Sequence, residues 1–323
     1  MNSWITNWKK IKIKVKKIFK KQPVGQQETD WKNCPQCKKI SYLPDLITNS
    51  YICECSFHFD FPAKNRLDSL FDSGYKIIES DDDVDPDPLK FNVGERYKYI
   101  DKIKKYQKIT GQKSALLCAS GKVSNLNAVV SCFNPLFGGG RLGTVENENF
   151  LAAANYAIEN KADMWVVIFQ SSGIDVHTGV TGLAGMTKTI IAMDEIKKAG
   201  IPTFAVAARA VAGGTYASCY FAHEFLIVES KCVSNMLFSG RRVTENILKS
   251  SSQIPEDFGT ASGVMKAGLA DITLDSRKDL KNKLTKLAGI ILKKGEFFDQ
   301  KHNESDGPDE SISTSLQKNS EAI

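Results

Sequence analysis

The sequence lacks several features that would assign its class at once. Among its 323 residues there is no run of eighteen consecutive apolar residues, which excludes a membrane-spanning helix. Neither a Walker A motif nor a G-x-G-x-x-G fingerprint occurs, so nucleotide binding by this chain has no support. Only four histidines are present, and none has neighbours that form a convincing Ser/His/Asp or Cys/His set. If the chain is an enzyme, we expect backbone dipoles rather than a side-chain nucleophile to carry its chemistry.

The composition is that of a globular chain with an unusual beginning. Hydrophobic residues make up 42% and charged residues 25%, enough to build a large core. The net charge is +6, but residues 1–22 hold eight lysines and no acid, so the rest of the chain is slightly acidic. In this basic amphipathic leader, residues 1–29, the apolar positions fall at helical spacing: Trp8, Ile11, Val15, Ile18 and Phe19. The leader could contact a membrane or nucleic acid, or it could be a solvated end that packs one stripe on its own domain or on a partner.

The ends and the scattered cysteines predict an intracellular protein. Lysines interrupt every apolar stretch of the leader, so it does not have the pattern of a secretory signal. Cys118, Cys132, Cys219 and Cys232 lie in apolar segments and are interpreted as buried thiols of a reducing cytoplasm. Residues 295–323 are polar and have no helical stripe, which predicts a disordered tail.

A second group of cysteines predicts a metal site. Cys34 and Cys37 form a C-x2-C pair, and Cys53 and Cys55 follow after fifteen residues as a C-x-C pair. Two short loops that each present two sulfurs are what a tetrahedral zinc site needs. Residues 30–60 are therefore predicted to be a zinc ribbon with one structural zinc per chain. His58 could replace one strained thiolate of the tighter second pair.

Beyond the ribbon, strands alternate with helices. Five continuous apolar runs predict strands at residues 115–121, 127–133, 164–170, 202–208 and 224–229. Three helical segments are predicted at 146–160, 179–199 and 214–222. Apolar strands separated by helices are typical of an α/β domain whose sheet is covered on its faces.

Three glycine-bearing turns stand where strands lead into helices. They lie at residues 138–143 (GGGRLG), 171–173 (SSG) and 212–214 (AGG). Glycine at such a junction lets backbone N–H groups face an anion, as in an oxyanion hole or a phosphate cradle. A single turn of this kind is weak evidence, because glycine often serves only the turn itself.

Together these motifs resemble the carboxyltransferase β subunit of bacterial and plastid-type acetyl-CoA carboxylase. The similar segments are 1–5 (MNSWI), 34–37 (CPQC), 64–70 (KNRLDSL), 87–91 (DPLKF), 110–115 (TGQKSA), 133–145 (FNPLFGGGRLGTV), 213–218 (GGTYAS) and 255–261 (PEDFGTA). The resemblance extends from the beginning of the sequence to about Lys294. It implies a crotonase-like α/β fold of repeated ββα units over residues 61–294, behind the zinc ribbon.

The resemblance also implies a reaction and its partners. In that family the β subunit pairs with an α subunit as α2β2, and carboxyl passes from carboxybiotin on a biotin carboxyl carrier protein to acetyl-CoA, giving malonyl-CoA. Biotin carboxylase, a separate component, uses the ATP. The backbone amides implied as oxyanion donors belong to Gly173, Ile174, Gly213 and Gly214. The residues implied to contact CoA are Gly139, Gly140, Arg141 and Arg242.

The sequence departs from the family pattern at the middle turn. Where the family has S-G-G-A-R-M-Q-E, residues 172–179 read SGIDVHTG and are one residue shorter. Arg141 stands where serine is usual, and Arg241 stands where the family has proline. An aspartate at position 175 would oppose a developing oxyanion, whereas the added arginines could bind CoA phosphates or form a solvated rim. Two readings follow: a divergent working carboxyltransferase subunit, or a family member that has lost transfer and acts as a binding or structural subunit, including nucleic-acid binding.

Overall fold

The computed structural model describes residues 30–94, 97–231, 236–239, 241–248 and 254–293. The chain divides into two compact units between Phe59 and Asp60. The predicted leader (1–29), the predicted tail (295–323) and Cys232 lie outside the described residues. Within the described residues, no helix combines the length and the apolar character that crossing a membrane requires.

The first unit is a small hairpin with one short helix. Strand β1 (Trp31–Asn33) pairs antiparallel with β2 (Ile40–Tyr42), and helix α1 (Leu43–Thr48) follows directly. Lys38, in the loop between the strands, has a φ of 62°, and its N–H donates to the Cys34 carbonyl at 2.9 Å. This tight loop turns the chain between the first cysteine pair and β2.

The second unit is built on one mixed sheet. Its strands, together with two short ones outside the sheet, are β3 (Lys76–Ile78), β4 (Leu116–Val123), β5 (Leu126–Phe133), β6 (Arg141–Leu142), β7 (Met164–Ser171), β8 (Gly173–Ile174), β9 (Thr203–Ala212), β10 (Phe225–Glu229), β11 (Met236–Leu237) and β12 (Ile272–Leu274). The order across the sheet is β12-β10-β9-β7-β5-β4-β3, with β11 paired to the end of β9. The pairs β3–β4 and β4–β5 are antiparallel, and the other pairs are parallel. Strands β6 and β8 form a separate parallel pair.

Helices cover both faces of this sheet. In the described residues they are α2 (Ala63–Leu70), α3 (Tyr99–Thr110), α4 (Thr144–Glu159), α5 (Gly179–Lys198), α6 (Gly213–Thr215), α7 (Arg241–Leu248), α8 (Ala261–Lys266) and α9 (Leu280–Ile291). A π-helical segment, Tyr216–Tyr220, continues α6. Every residue of β7 is buried, as expected for a parallel strand inside a covered sheet.

The core separates into two apolar layers, one on each side of the sheet. Trp165, Val167 and Phe169 pack with residues of α4 and α5, whereas Val166 and Ile168 pack with residues of α2 and α9. This alternation follows from the period of two along a strand.

The predicted α/β class and its main elements are confirmed. Each of the five predicted strands is present within a few residues of its predicted bounds, and so are the predicted helices that became α4 and α5. The predicted helix at 214–222 differs: it consists of the three-residue α6 followed by the π-helical segment.

Candidate active site at the glycine turns

The fold brings together the three glycine turns that the sequence singled out. The first turn lies against the end of β7, where the N–H of Ser172 donates to the carbonyl of Gly139 at 2.9 Å. A Cβ added to Gly140 would lie 1.9 Å from the carbonyl oxygen of Gln170, so the backbones approach as closely as a glycine permits. The turn at 138–140 is thereby fixed against the turn at 171–173.

The second turn packs in the same way against the third. Gly173 has a φ of 105°, and a Cβ there would lie 2.7 Å from the carbonyl oxygen of Ala212. A Cβ on Gly214 would lie 2.1 Å from Cγ1 of Ile174. Glycine is therefore required at both positions for β8 to approach the beginning of α6.

These contacts place candidate amide donors side by side. Gly213 and Gly214 begin α6, and the first N–H groups of a helix have no partner within it. Directly after β8, the N–H of Asp175 donates to the Leu142 carbonyl at 2.9 Å. Successive N–H groups of an extended chain point to opposite edges, so the N–H of Ile174 points away from β6. The N–H of Gly173 instead donates to Oγ of Ser171 at 3.2 Å. Of the predicted donors, Gly173 therefore has its N–H engaged, and the N–H groups of Ile174, Gly213 and Gly214 stay the candidates.

An arginine and an aspartate pair next to this turn. Arg141 and Asp175 are each 5% exposed, and Nη1 of Arg141 contacts both Oδ2 of Asp175 and the hydroxyl of Tyr99. The Tyr99 hydroxyl donates in turn to Oδ2 of Asp175. On its other side, Nη2 of Arg141 lies 3.6 Å from Oε1 of Glu146. Burial raises the pKa of Asp175, but the hydrogen bond from Tyr99 and the charge of Arg141 outweigh it and hold that pKa below its usual value.

His177 completes this group, which we call the turn cluster (Tyr99, Arg141, Glu146, Asp175 and His177). Its Nδ1 lies 2.7 Å from Oδ1 of Asp175, and its ring stacks on Tyr99 with centroids 4.0 Å apart. Its Nε2 lies 3.2 Å from the hydroxyl of Tyr97. Sequence reasoning missed this arrangement. The D-x-H spacing of Asp175 and His177 was the one local signal, because Tyr97 and Tyr99 come about eighty positions earlier in the chain.

A cavity of about 160 Å³ opens beside the turns. Lys102, Tyr106, Gly138 and Ser172 line it together with part of the turn cluster. Ligand pockets for molecules of drug size typically exceed about 300 Å³. The cavity is therefore too small by itself for a CoA thioester.

The residues predicted to contact CoA are placed differently from one another. Gly139 and Gly140 lie in the first turn, adjacent to Ser172. Arg141 has its guanidinium in the turn cluster and is 5% exposed, so the rim interpretation is wrong for this residue, and its contact with CoA stays a prediction. Arg242 lies in the first turn of α7, and its contact with CoA stays a prediction.

The first unit holds a candidate metal centre. One ligand atom from each of Cys34, Cys37, Cys53 and Cys55 lies within 4.8 Å of all the others. Sulfur–sulfur distances are 3.7 Å for Cys34–Cys55 and 3.7 Å for Cys37–Cys53. A tetrahedral zinc with bonds of about 2.3 Å separates its sulfurs by about 3.8 Å, so these residues fit the ion. Within the residues that the structure describes, His58 is not a member of this cluster.

The Cys34 thiol has a lowered pKa, which favours binding of a metal cation. Burial raises its pKa, but hydrogen bonds from the backbone of Cys37 and Gln36 outweigh this effect and lower the pKa to about 7. The thiolate is the form that binds zinc, and a thiol with a pKa near 7 is readily converted to it. Cys55 differs, because burial raises its pKa to about 12, so a bound cation would have to displace its proton.

Comparisons with known proteins give the family. The carboxyl transferase domain model matches residues 97–318. The acetyl-coenzyme A carboxylase carboxyl transferase subunit beta of Sulfurihydrogenibium sp. (strain YO3AOP1) is 33% identical over 266 residues, which cover 82% of this chain and 92% of that protein.

Solved structures show the same fold at low identity. Transcarboxylase 12S superposes with a TM-score of 0.56 at 16% identity, over 71% of this chain but only 41% of that one. A Pseudomonas malonate decarboxylase hetero-tetramer gives 0.53 at 19% identity, over 76% of this chain and 92% of that one. These neighbours share the crotonase-like α/β architecture described above. The family model and the β-subunit relative each cover most of this chain. The chain therefore belongs to the carboxyl transferase family and is a homologue of the acetyl-CoA carboxylase carboxyl transferase β subunit.

Proposed function

We propose that this chain is the β subunit of an acetyl-CoA carboxylase carboxyltransferase, which moves carboxyl from carboxybiotin on a carrier protein to acetyl-CoA and forms malonyl-CoA. The observation that carries the proposal is the 33% identity to a β subunit across 92% of that relative's length. The meeting of the three glycine turns supports it, since it brings together the backbone amides that are the candidate donors for this reaction.

The backbone amides would stabilise the charge that develops during transfer. Cleavage of the N–C bond of carboxybiotin releases CO2 and leaves negative charge on the ureido group of biotin, which then removes a proton from the methyl carbon of acetyl-CoA. The charge passes to the thioester oxygen, and the methyl carbon then forms the new carbon–carbon bond to CO2. The N–H groups of Ile174 and Gly214, two residues that pack directly against each other, would donate to such an oxygen, each worth about 3 kcal/mol in comparable sites. The carboxybiotin substrate supplies the carboxyl group and, once it has given it up, a base. No side-chain nucleophile is required.

An α subunit would complete the site. The outer face of α5, next to the middle turn, exposes Val180 by 73%, Leu183 by 55% and Ile191 by 57%. Exposed apolar residues that form a contiguous patch often mark a protein contact, and we propose that the α subunit binds here. A partner on this face would also enlarge the small cavity into a CoA pocket, as an α2β2 assembly would. The biotin carboxyl carrier protein and biotin carboxylase are the further partners that the reaction requires.

The first experiment is the reverse half-reaction. The chain is co-expressed with its cognate α subunit, and malonyl-CoA-dependent carboxylation of free biotin is measured without ATP or carrier. We expect turnover that needs both subunits. A stable complex without turnover would contradict the proposal and favour the reading as a non-catalytic binding subunit, which no observation in the described residues supports.

A matched pair of glycine variants tests the site. Gly173→Ala should lower kcat by about 100-fold, because its Cβ would displace the backbone at Ala212. Gly200→Ala is the control, since Gly200 also has a positive φ (70°) but nothing lies within 4 Å of its Cβ position. Equal losses in the two variants would count against a role for the turn.

We propose that the four-cysteine cluster holds one structural zinc per chain. The metal would tie the two loops of the first unit together and take no part in transfer. Metal analysis of the purified chain should find about one zinc, and Cys34→Ser should lower that content. Cys118→Ser, at a buried thiol in β4, is the control and should leave zinc unchanged.

We infer a reducing compartment, in agreement with the cytoplasmic prediction. The seven cysteines that the structure describes are free thiols, and Cys118, Cys132 and Cys219 are buried. Burial raises the pKa of each of these three to about 12, which keeps them protonated and unreactive. Fractionation of the native cells would test the location.

A further inference from the structure

Two of the places at which this sequence departs from the family pattern that it resembles meet in space. Arg141 stands where serine is usual, and Asp175 lies in the shortened segment 172–179. We propose that Arg141 and Asp175 are a matched pair of positioning residues that sets the direction of the Ile174 amide. The inference rests on the proposed transferase function, because the amide matters only if an oxyanion forms beside it.

The pair joins the same two strands that carry the turn. Strands β6 and β8 are two residues long, with Arg141 opposite Gly173 and Leu142 opposite Ile174. So short a ladder makes few backbone hydrogen bonds, and the Asp175 N–H bond to Leu142 closes it. The ion pair adds a buried side-chain connection across the two strands, directly after Ile174.

Asp175 is also held on its far side. Its carbonyl accepts from Oγ1 of Thr178 at 2.7 Å and from the Thr178 N–H at 3.1 Å. Its Oδ1 accepts from the N–H of His177 at 3.1 Å. A residue held at both backbone and side chain transmits its position to its neighbour in the chain.

Ile174 lies between this anchor and the other donor. Its side chain contacts the backbone of Gly214 so closely that a Cβ there would lie 2.1 Å away, and it also approaches Gly182. A shift of Asp175 would therefore change the spacing between the Ile174 and Gly214 amides. A displacement of about 1 Å at such a site can cost about 100-fold in rate.

Pairing with Arg141 also removes the conflict between the negative charge of Asp175 and a developing oxyanion. A free carboxylate one residue from an oxyanion donor would oppose the negative charge of the transition state. Here the carboxylate faces Arg141, Tyr99 and His177. Its low pKa keeps it ionised and paired. Arg141 therefore makes the aspartate compatible with the turn.

The test uses two variants and their combination, each in complex with the α subunit. Arg141→Met leaves Asp175 without its cation and should lower kcat for biotin carboxylation by about 100-fold, with KM for malonyl-CoA unchanged. Adding Asp175→Asn removes the unmatched charge at nearly constant shape. The double variant should recover kcat by about tenfold over Arg141→Met.

A buried ion pair elsewhere in the same unit provides the control. Arg66→Met breaks the contact of Arg66 with Glu229 and should lower the free energy of unfolding without changing kcat per folded molecule. If Arg141→Met does not fold, Arg141→Lys and Arg141→Gln replace it as a pair. Arg141→Lys keeps the positive charge and should retain more activity than Arg141→Gln, which loses it. A kcat that falls further in the double variant, or one that none of the changes moves, would overturn the proposal.

Hydrogen exchange separates this inference from the proposed function. Exchange of the peptide covering 172–178 should quicken in Arg141→Met, slow again in the double variant, and stay unchanged in Arg66→Met. If the wild-type complex has no turnover, the transferase proposal fails while this measurement still reports on the pair. Exchange that is identical in all four proteins would refute the positioning role by itself.

Discussion

Two buried ion clusters lie in the second unit, and they differ in composition and surroundings. The Arg66 cluster (Arg66, Glu229 and Arg277) pairs one carboxylate with two guanidinium groups. The turn cluster pairs one guanidinium with two carboxylates and adds a tyrosine and a histidine. In the Arg66 cluster, Glu229 is fully buried, whereas in the turn cluster the side chain of His177 is 21% exposed beside the small cavity.

The neighbours of each cluster explain the difference. Both arginines of the Arg66 cluster lie over the ring of Phe61, at 4.9 and 5.2 Å. Arg66 belongs to α2, whose apolar residues pack on the face of the sheet opposite α5, so this cluster fixes distant segments to one another. The turn cluster lies beside the amides of the middle turn and fixes a local geometry. A buried ion pair is weak evidence for stability, and its location indicates whether it serves the fold or a site.

The largest expected effect comes from breaking the Arg66 cluster. Glu229→Gln would leave two buried guanidinium groups facing a neutral amide and should lower the free energy of unfolding by about 3–5 kcal/mol. Urea unfolding followed by circular dichroism measures this loss. Turnover per folded molecule should stay at the wild-type value. A loss under about 1 kcal/mol would show that the cluster does not depend on its carboxylate, and the comparison would fail.

Tyr99→Phe tests the turn cluster with the smallest change of shape. The hydroxyl of Tyr99 accepts from Arg141 and donates to Asp175, while its ring stacks on His177. Phenylalanine keeps the stack and loses both hydrogen bonds, which should cost about 2 kcal/mol of unfolding free energy because the partners are charged. Unlike Glu229→Gln, this variant should also lower kcat. Full activity with reduced stability would mean that Tyr99 stabilises the fold and has no role in the reaction.

A buried base without an ionic partner gives a reference for both clusters. His223 is 5% exposed, its Nδ1 donates to the Cys219 carbonyl at 2.7 Å, and its Nε2 has no hydrogen-bond partner among the described residues. Burial lowers its pKa from 6.5 to about 4. Between those values the unfolded chain binds the proton and the folded chain does not, so stability falls as the pH falls.

The expected size of this acid effect follows from the two pKa values. Lowering the pH from about 7 to about 5 should cost about 2 kcal/mol through His223. His223→Gln removes the titration, so the difference between wild type and variant, measured by urea unfolding at each pH, isolates the histidine. Parallel pH profiles for the two proteins would contradict the assignment.

The features that the sequence predicted correctly are local ones. The cysteine pairs at 34–37 and 53–55 predicted the four-thiol cluster, because each pair needs one short loop. The continuous apolar run at 164–170 predicted a strand buried on both faces, which is β7. The glycine turns were expected to let N–H groups face an anion, which stays a prediction; the structure has close backbone approaches at Gly140 and Gly173.

What sequence reasoning could not supply is the partner of each polar group. Asp175 was expected to oppose an oxyanion, since its local sequence does not show that Arg141 and Tyr99 take up its charge. The tyrosine comes from α3, far along the chain, and no periodicity connects it to the turn. The π-helical segment after Gly214 was missed for a related reason, because its residues have no pattern that distinguishes it from an ordinary helix.

The smallest expected effect belongs to an ion pair that differs from the others in exposure. Arg209 lies 2.6 Å from Asp60, and their side chains are 39% and 43% exposed. Because water solvates each of these charges whether or not it is paired, Arg209→Gln should cost less than about 1 kcal/mol, and added salt should reduce even that. Urea unfolding of the wild type and the variant at low and high salt measures the difference. A loss as large as that of Glu229→Gln would mean that burial does not set the energetic rank of these ion pairs.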